Sequence, residues 1–269
     1  MTVLISTNMY VSKDFDRVLT YVKEFDGKVG VEVFPMFHEP EYEKILQTCA
    51  PLLSKVPISF HGPYYHADYS APYGSECYEK TMKMTEKTLE YCQNLKSKYM
   101  VFHHNNFRVS AENKQNMIEN ACINFRKVEK MYADCGISVV VENAGVLQNG
   151  SMLLDQNEFI NLCKKEDYRV LIDIGHAHAN GWDLCSVMEA LKERIAAYHL
   201  HNNDGVHDSH QRISDGTLDF DSFFERAKEL TPSADLVLEY NPKVARDEQG
   251  IMEDIKRIKT EMLGTVYRM

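Results

Sequence analysis

Short runs of apolar, often β-branched residues alternate with longer stretches in which apolar residues return every three or four positions, and this alternation continues along the whole chain. The short runs predict strands at 3–8, 29–34, 56–61, 99–103, 138–142, 169–173, 195–201 and 235–240. Between them, the stripes Phe15, Val18, Leu19, Val22, Phe25 and Met117, Ile118, Ala121, Cys122, Phe125, Val128 and Ile251, Ile255, Ile258, Met262 fit amphipathic helices that each cover a sheet with one face. Asp155 with Glu158 three residues on forms a capping-box pair, and Asp183 and Asp219 stand at further helix starts. Eight strands alternating with eight helices, without a linker-like composition break and without Gly-x-Gly-x-x-Gly after the first strand, predict a single α/β domain over 1–269. Its expected architecture is a closed (β/α)8 barrel rather than an open doubly wound sheet.

Polar residues sit where the strands run out: Glu32, His61, His103, Glu142, Asp173, His201 and Glu239. In a parallel barrel these ends share one mouth, the face on which active sites are built, so residues distant in sequence are expected to converge there. Any one of them alone reads as a satisfied polar cap on a strand. Together they place several carboxylates and imidazoles in a half-buried space, at a cost on the order of several kcal/mol per unpaired charge unless a cation neutralises them. Asp173-Ile174-Gly175-His176 adds an imidazole just beyond a strand end, and Asp208-Ser209-His210 has the period-two spacing that aims both side chains one way. The mixture of nitrogen and oxygen donors suits Zn²⁺ or Mn²⁺, one to three ions, and is too nitrogen-rich for a dedicated Ca²⁺ or Mg²⁺ cage.

The composition narrows the reading further. The chain of 269 residues, 44% hydrophobic and 26% charged, has ordinary globular proportions. No apolar run approaches the roughly 20 residues of a membrane helix, and the first residues lack the pattern of a signal peptide, which predicts a cytoplasmic protein without a membrane partner. A net charge of −10 supplies no general field for nucleic acid. Seven cysteines, an odd count without a Cys-x-x-Cys pair, read as reduced core thiols.

The ordered segments His61-Gly62-Pro63-Tyr64, Val101-Phe102-His103, Val141-Glu142-Asn143, Ile172-Asp173-Ile174-Gly175-His176, His199-Leu200-His201-Asn202-Asn203-Asp204, Asp208-Ser209-His210 and Leu238-Glu239 resemble the xylose-isomerase-like TIM barrels. That superfamily holds sugar isomerases and epimerases as well as the endonuclease IV repair enzymes. Its epimerases imply one metal held by Glu142, Asp173, His201 and Glu239, with Glu142 and Glu239 as the catalytic pair. Its endonuclease branch implies a trinuclear zinc cluster, with His61, His103 and Glu142 on one ion, Glu142, Asp173, His201 and Glu239 on a second, and His176, Asp208 and His210 on a third. All nine positions are filled. One departure stands out: the Gly-Glu-Gly usual after the Asp-x-His motif is Ser214-Asp215-Gly216 here. His104, His178, His199 and His207 adjoin motif residues without matching a ligand position and read as flanking or solvent-facing groups, and Glu32 reads as a partner for a ligand histidine or a substrate hydroxyl.

The mouth loops separate the two branches. A repair enzyme that bends DNA needs Lys or Arg there, yet segments 35–40, 62–75, 143–154 and 176–183 contain neither. Tyr64, Tyr65, Tyr69 and Tyr73 suggest a wall over a small polyol, Trp182 a stacking platform, and His176 and Arg212 further substrate contacts. The expectation is a metal-dependent isomerase or epimerase acting on a small sugar, sugar phosphate or polyol ketone through an enediolate. The alternative is a trinuclear-zinc phosphodiesterase on abasic DNA, and a metal-free binding protein on the same barrel is a third class. The oligomeric state stays open.

Overall fold

In the computed structural model, which describes residues 1–265, the apolar runs become eight parallel strands closed in sequence order. They are β1 (Val3–Ser6), β2 (Gly30–Val33), β3 (Ile58–His61), β4 (Tyr99–Phe102), β5 (Ser138–Glu142), β6 (Val170–Asp173), β7 (Ile195–Leu200) and β8 (Asp235–Leu238), and β8 pairs back onto β1. Strand alternation builds both the core and the site. Tyr99, Val101, Val140, Leu171 and Ala197 form a small cluster of their own, separate from the main apolar layer. His103, Glu142, Asp173 and His199 follow Val101, Val140, Leu171 and Ala197 by two residues each. The parity that packs these strands with apolar groups therefore delivers the polar groups to one end.

The complementary parity packs against the helices α1 (Val18–Glu24), α2 (Tyr42–Leu53), α3 (Glu76–Asn94), α4 (Lys114–Ala133), α5 (Gln156–Lys165), α6 (Ile174–Ala179), α7 (Leu184–Leu191), α8 (Phe220–Leu230) and α9 (Glu248–Leu263). Phe125 of α4 is representative: it is fully buried, with its ring 5.1 Å from Phe102 and 4.2 Å from Tyr168. The predicted caps are present. Asp155 accepts from the Glu158 backbone at 2.9 Å while the Glu158 carboxylate accepts from the Asp155 backbone at 2.8 Å, and Asp183 and Asp219 cap α7 and α8.

Two expectations are corrected. Helices number nine among the described residues rather than eight, because α6 starts directly at the end of β6, where Asp173 caps it by accepting from the His176 backbone at 2.7 Å. Several strands also end before their predicted limits; β1 stops at Ser6 instead of residue 8, where the chain tightens into the 3-10 turn Thr7–Met9. No helix is long and apolar enough to cross a membrane.

The core-thiol reading also needs amendment. Cys49, Cys92, Cys122 and Cys163 are buried and Cys77 half-buried, but Cys135 and Cys185 are exposed. Burial raises the pKa of all five sheltered thiols and so suppresses their thiolates. Native protein at neutral pH is therefore expected to react promptly with a thiol reagent at Cys135 and Cys185 only. Peptide mapping checks this, with the remaining five labelled after denaturation.

Candidate metal centre

The mouth is assembled from strand ends that the chain braces individually. Asn143, next to Glu142, clamps the backbone of Asp173: it accepts from the Asp173 N–H at 2.7 Å and donates to its carbonyl at 2.9 Å. After β7 the chain folds back on itself, with Asn202 paired to Gln211 through both backbone bonds and its amide donating to the Ile213 carbonyl at 2.9 Å. Asn203 donates to the Gly175 carbonyl at 2.8 Å. These two asparagines tie the loop that carries Asp208 and His210 to the start of α6.

Within the mouth, hydrogen bonding fixes how the imidazoles are turned. His61 Nδ1 donates to the Gly62 carbonyl at 2.7 Å, and His103 Nδ1 donates to Asn106 Oδ1 at 2.9 Å, the amide of Asn106 being turned toward the Ala67 carbonyl. Both rings held this way turn Nε2 inward. Those two nitrogens are 3.1 Å apart, and His103 Nε2 is 2.9 Å from Glu142 Oε2. His199 is arranged alike: Nε2 donates to Glu32 Oε1 at 3.0 Å, leaving Nδ1 toward Glu142 Oε2 at 3.3 Å, Glu239 Oε2 at 3.3 Å and Asp173 Oδ2 at 3.8 Å. A third group gathers around Asp208, with His176 Nε2 at 3.3 Å, His210 Nε2 at 3.1 Å and His201 Nε2 at 3.8 Å.

These groups fit divalent ions. His176 Nδ1, His199 Nδ1 and Asp208 Oδ1 are buried without an aligned hydrogen-bond partner, although opposite charges lie within 3.3 Å of each. Close donor atoms that converge without pointing at one another are what a shared cation requires. His61, His103 and Glu142 form one such set, Glu142, Asp173 and His199 a second that Glu239 adjoins through His199, and His176, His201, Asp208 and His210 a third.

Electrostatics show how tightly the mouth is balanced. Burial disfavours the charge on Glu142, but His103 and His199 outweigh it and hold its carboxyl well below the usual range. Asp173 is likewise lowered to about 2 against burial by His176 and His201. Glu239 goes the other way: burial lifts it to about 7 despite His199 and His210. Burial, reinforced by His103, keeps the His61 ring neutral.

Above the sets lies a cavity of about 220 Å³ lined by Asn8, Phe34, Tyr64, Tyr65, Asn241 and Pro242 together with His61, His103, Glu142, His176, Asp208, His210 and Glu239. No Lys or Arg is among its described lining residues. Tyr64 and His176 thus stand where the sequence suggests, and His201 Nε2 lies 3.0 Å from Asp173 Oδ1, while His199 adds an imidazole, not expected as a ligand, beside Glu142 and Glu239. Three expectations change. Arg212 turns away to fork onto Asp254 at 2.9 and 3.0 Å and onto Asp247 at 2.9 Å. Trp182 packs on Phe159, 5.8 Å between rings, outside the cavity. Of the expected tyrosine wall, Tyr69 is buried on Phe102 and Tyr73 is 79% exposed beside Tyr78. Phe34, Asn8 and Asn241 went unflagged, although each lies just beyond a strand.

A profile of the xylose isomerase-like TIM barrel family matches residues 19–261. An uncharacterized protein of Methanocaldococcus jannaschii is 24% identical over 145 residues, 52% of this chain and 48% of that protein, so the match spans about half the relative's length. Among solved structures, a D-tagatose 3-epimerase-like protein superposes with a TM-score of 0.77 at 18% identity, covering 98% of this chain and 100% of that one. The IolI protein with a bound zinc atom superposes with a TM-score of 0.75 at 15% identity, covering 100% of both chains. Likeness at these identities shows a common barrel.

Two consequences can be measured. Glu32→Gln, which weakens the bond orienting His199, is expected to lower divalent-metal affinity about 10–100-fold in chelator competition; unchanged affinity would remove His199 from the ligand set. Arg212→Ala leaves the buried Asp254 unpaired and is expected to cost about 3 kcal/mol in denaturant unfolding.

Proposed function

The chain belongs to the xylose isomerase-like TIM barrel family, and from that premise we propose that it is a divalent-metal-dependent isomerase or epimerase of a small, uncharged ketose or related polyol ketone. The observation that carries this reading is the cavity itself: about 220 Å³, walled by Phe34, Tyr64 and Tyr65 and lined by carboxylates, imidazoles and amides without a cation. A phosphorylated sugar or a DNA backbone would find no arginine or lysine in that lining to hold its phosphates. Arg212, the cation nearest the site in the sequence motifs, is already saturated by Asp254 and Asp247.

The chain's own groups suit proton transfer at a carbon beside a carbonyl. Glu142 and Glu239 both reach the cavity, and one of them removes the proton while the other returns it, to the same carbon for epimerisation or to its neighbour for aldose–ketose exchange. Glu142, Asp173 and Glu239, with His199 and His201 beside them, would hold a divalent ion, which would supply Lewis-acid stabilisation of the charge that develops on the oxygens. Asn8 Oδ1, buried and without a partner, is placed to accept from a substrate hydroxyl. The Phe34 ring, 4.5 Å from that of His61, and Tyr64 cover the less polar face of the carbon chain and keep water from the reacting carbon.

The names of two solved relatives support a sugar substrate: a D-psicose 3-epimerase with D-tagatose and an L-ribulose 3-epimerase. Metal-loaded protein is expected to exchange solvent deuterium into a recovered ketose from a panel of unphosphorylated sugars, and Glu142→Gln or Glu239→Gln to abolish both exchange and turnover. Nicking of an abasic duplex without exchange into any sugar would overturn this reading in favour of a phosphodiesterase.

A further inference from the structure

We propose that the aromatic rim of the cavity is a subsite for a second, glycosidically linked sugar ring, which lies on Tyr65 and His38 while the ketone-bearing part of the substrate occupies the cavity. The proposal rests on the proposed function for what sits inside, and it makes the preferred substrate a glycoside rather than a free ketose.

The cavity alone is too small for such a ligand. Its volume of about 220 Å³ lies below the roughly 300–1,000 Å³ of sites that enclose drug-sized molecules, so it takes one sugar unit. Aromatic rings nevertheless continue past its edge. Phe34 stands 4.5 Å from His61 at the inner end and reaches Tyr64 at 5.9 Å and Tyr65 at 6.1 Å. Tyr65 in turn lies 4.4 Å from His38, which is outside the cavity lining, and His66 follows at 6.1 Å from His38. The series runs from the mouth to solvent, where His38 and His66 are exposed.

Packing does not account for the outer rings. Tyr69, from the same loop after β3, shows what a packed tyrosine looks like here: it is 1% exposed, its ring is 4.2 Å from Phe102, and its hydroxyl is 2.6 Å from Thr85 Oγ1. Tyr64 and Tyr65 are 39% and 42% exposed, so each leaves much of its surface to whatever occupies the rim. A pyranose matches that surface. Its C–H face suits the electron-rich faces of the rings, and its belt of hydroxyls suits the phenol and imidazole edges, which can both donate and accept.

The rim is also held in register with the reacting end. Asn106, whose Oδ1 is 2.9 Å from His103 Nδ1, donates through its amide to the carbonyls of Ala67 at 2.9 Å and Tyr64 at 3.4 Å. The Tyr64–Ala67 turn closes by a backbone bond of 3.3 Å, with His66 in the left-handed region at φ 62°. On the other side Glu39, next to His38, accepts from the Ser12 backbone at 2.7 Å. Rings fixed in this way lose little freedom when a ligand settles on them.

The test compares free ketoses with their glucosides on metal-loaded full-length protein, using fructose against palatinose, turanose, leucrose and maltulose, which differ in linkage. At least one glucoside is expected to bind about tenfold more tightly than fructose, with saturation-transfer NMR reaching both of its rings. Tyr65→Ala and His38→Ala are expected to bring that ratio close to one, acting on KM more than on kcat where turnover is followed. Tyr65→Phe keeps most of the ratio, which separates loss of the ring from a disturbed loop. Equal binding of fructose and every glucoside, or an unchanged ratio in folded Tyr65→Ala and His38→Ala, would overturn the proposal. Deuterium exchange into free ketoses without any preference for glucosides would leave the proposed function standing and remove this subsite. Preferential glucoside binding through Tyr65 and His38, without exchange into any sugar, would do the reverse.

Discussion

Each histidine in the deepest part of the mouth has one ring nitrogen committed to an oxygen that can only accept, and everything else about the site follows from that commitment. Gly62, Asn106 and Glu32 each accept from one ring nitrogen of His61, His103 and His199, and so aim the opposite nitrogens at the carboxylates. Lone pairs and carboxylates in a buried space repel unless a proton or a metal stands between them. The second ring nitrogen of each histidine is thus as important as the first, and residues without any catalytic chemistry, such as Asn106 and Glu32, decide what the mouth can bind.

The barrel supports this arrangement through its strand alternation. Val101, Val140, Leu171 and Ala197 fill the level below the site with apolar groups. Farther down, Asp235 accepts from the Thr2 backbone at 2.7 Å and pairs with Lys98 at 2.5 Å, closing the seam between the first and last strands with a separate charge pair. The charged layers at the two levels are separated by an apolar one, so the stability of the barrel and the chemistry of its mouth can vary independently.

Much of this was legible in the sequence because alternation is a strong constraint. Once the strands are placed, Glu142, Asp173 and Glu239 must stand at the mouth, and the (β/α)8 closure follows from the count of elements. Motif matching points to His201 alone, whereas strand parity puts 197, 199 and 201 on one side of the chain, so both histidines meet carboxylates of the mouth, His201 at Asp173 and His199 at Glu142 and Glu239. Arg212 and Trp182 were misplaced for another reason: their loops leave the barrel rim, and the contacts that claim them, Asp254 and Phe159, belong to α9 and α5, far away in sequence. Helix α6 was invisible to periodicity because six residues are too few to show a stripe.

The contact between Gly175 and His201 carries a meaning for the history of the chain. Because the ring occupies the space where a side chain would grow at 175, the two positions are not free to drift separately. A larger residue at 175 becomes tolerable only after 201 has shrunk, and an imidazole at 201 can arise only where 175 is already bare. Among related barrels the two sites should therefore covary, with glycine at the first as the gate through which a histidine at the second is gained or lost.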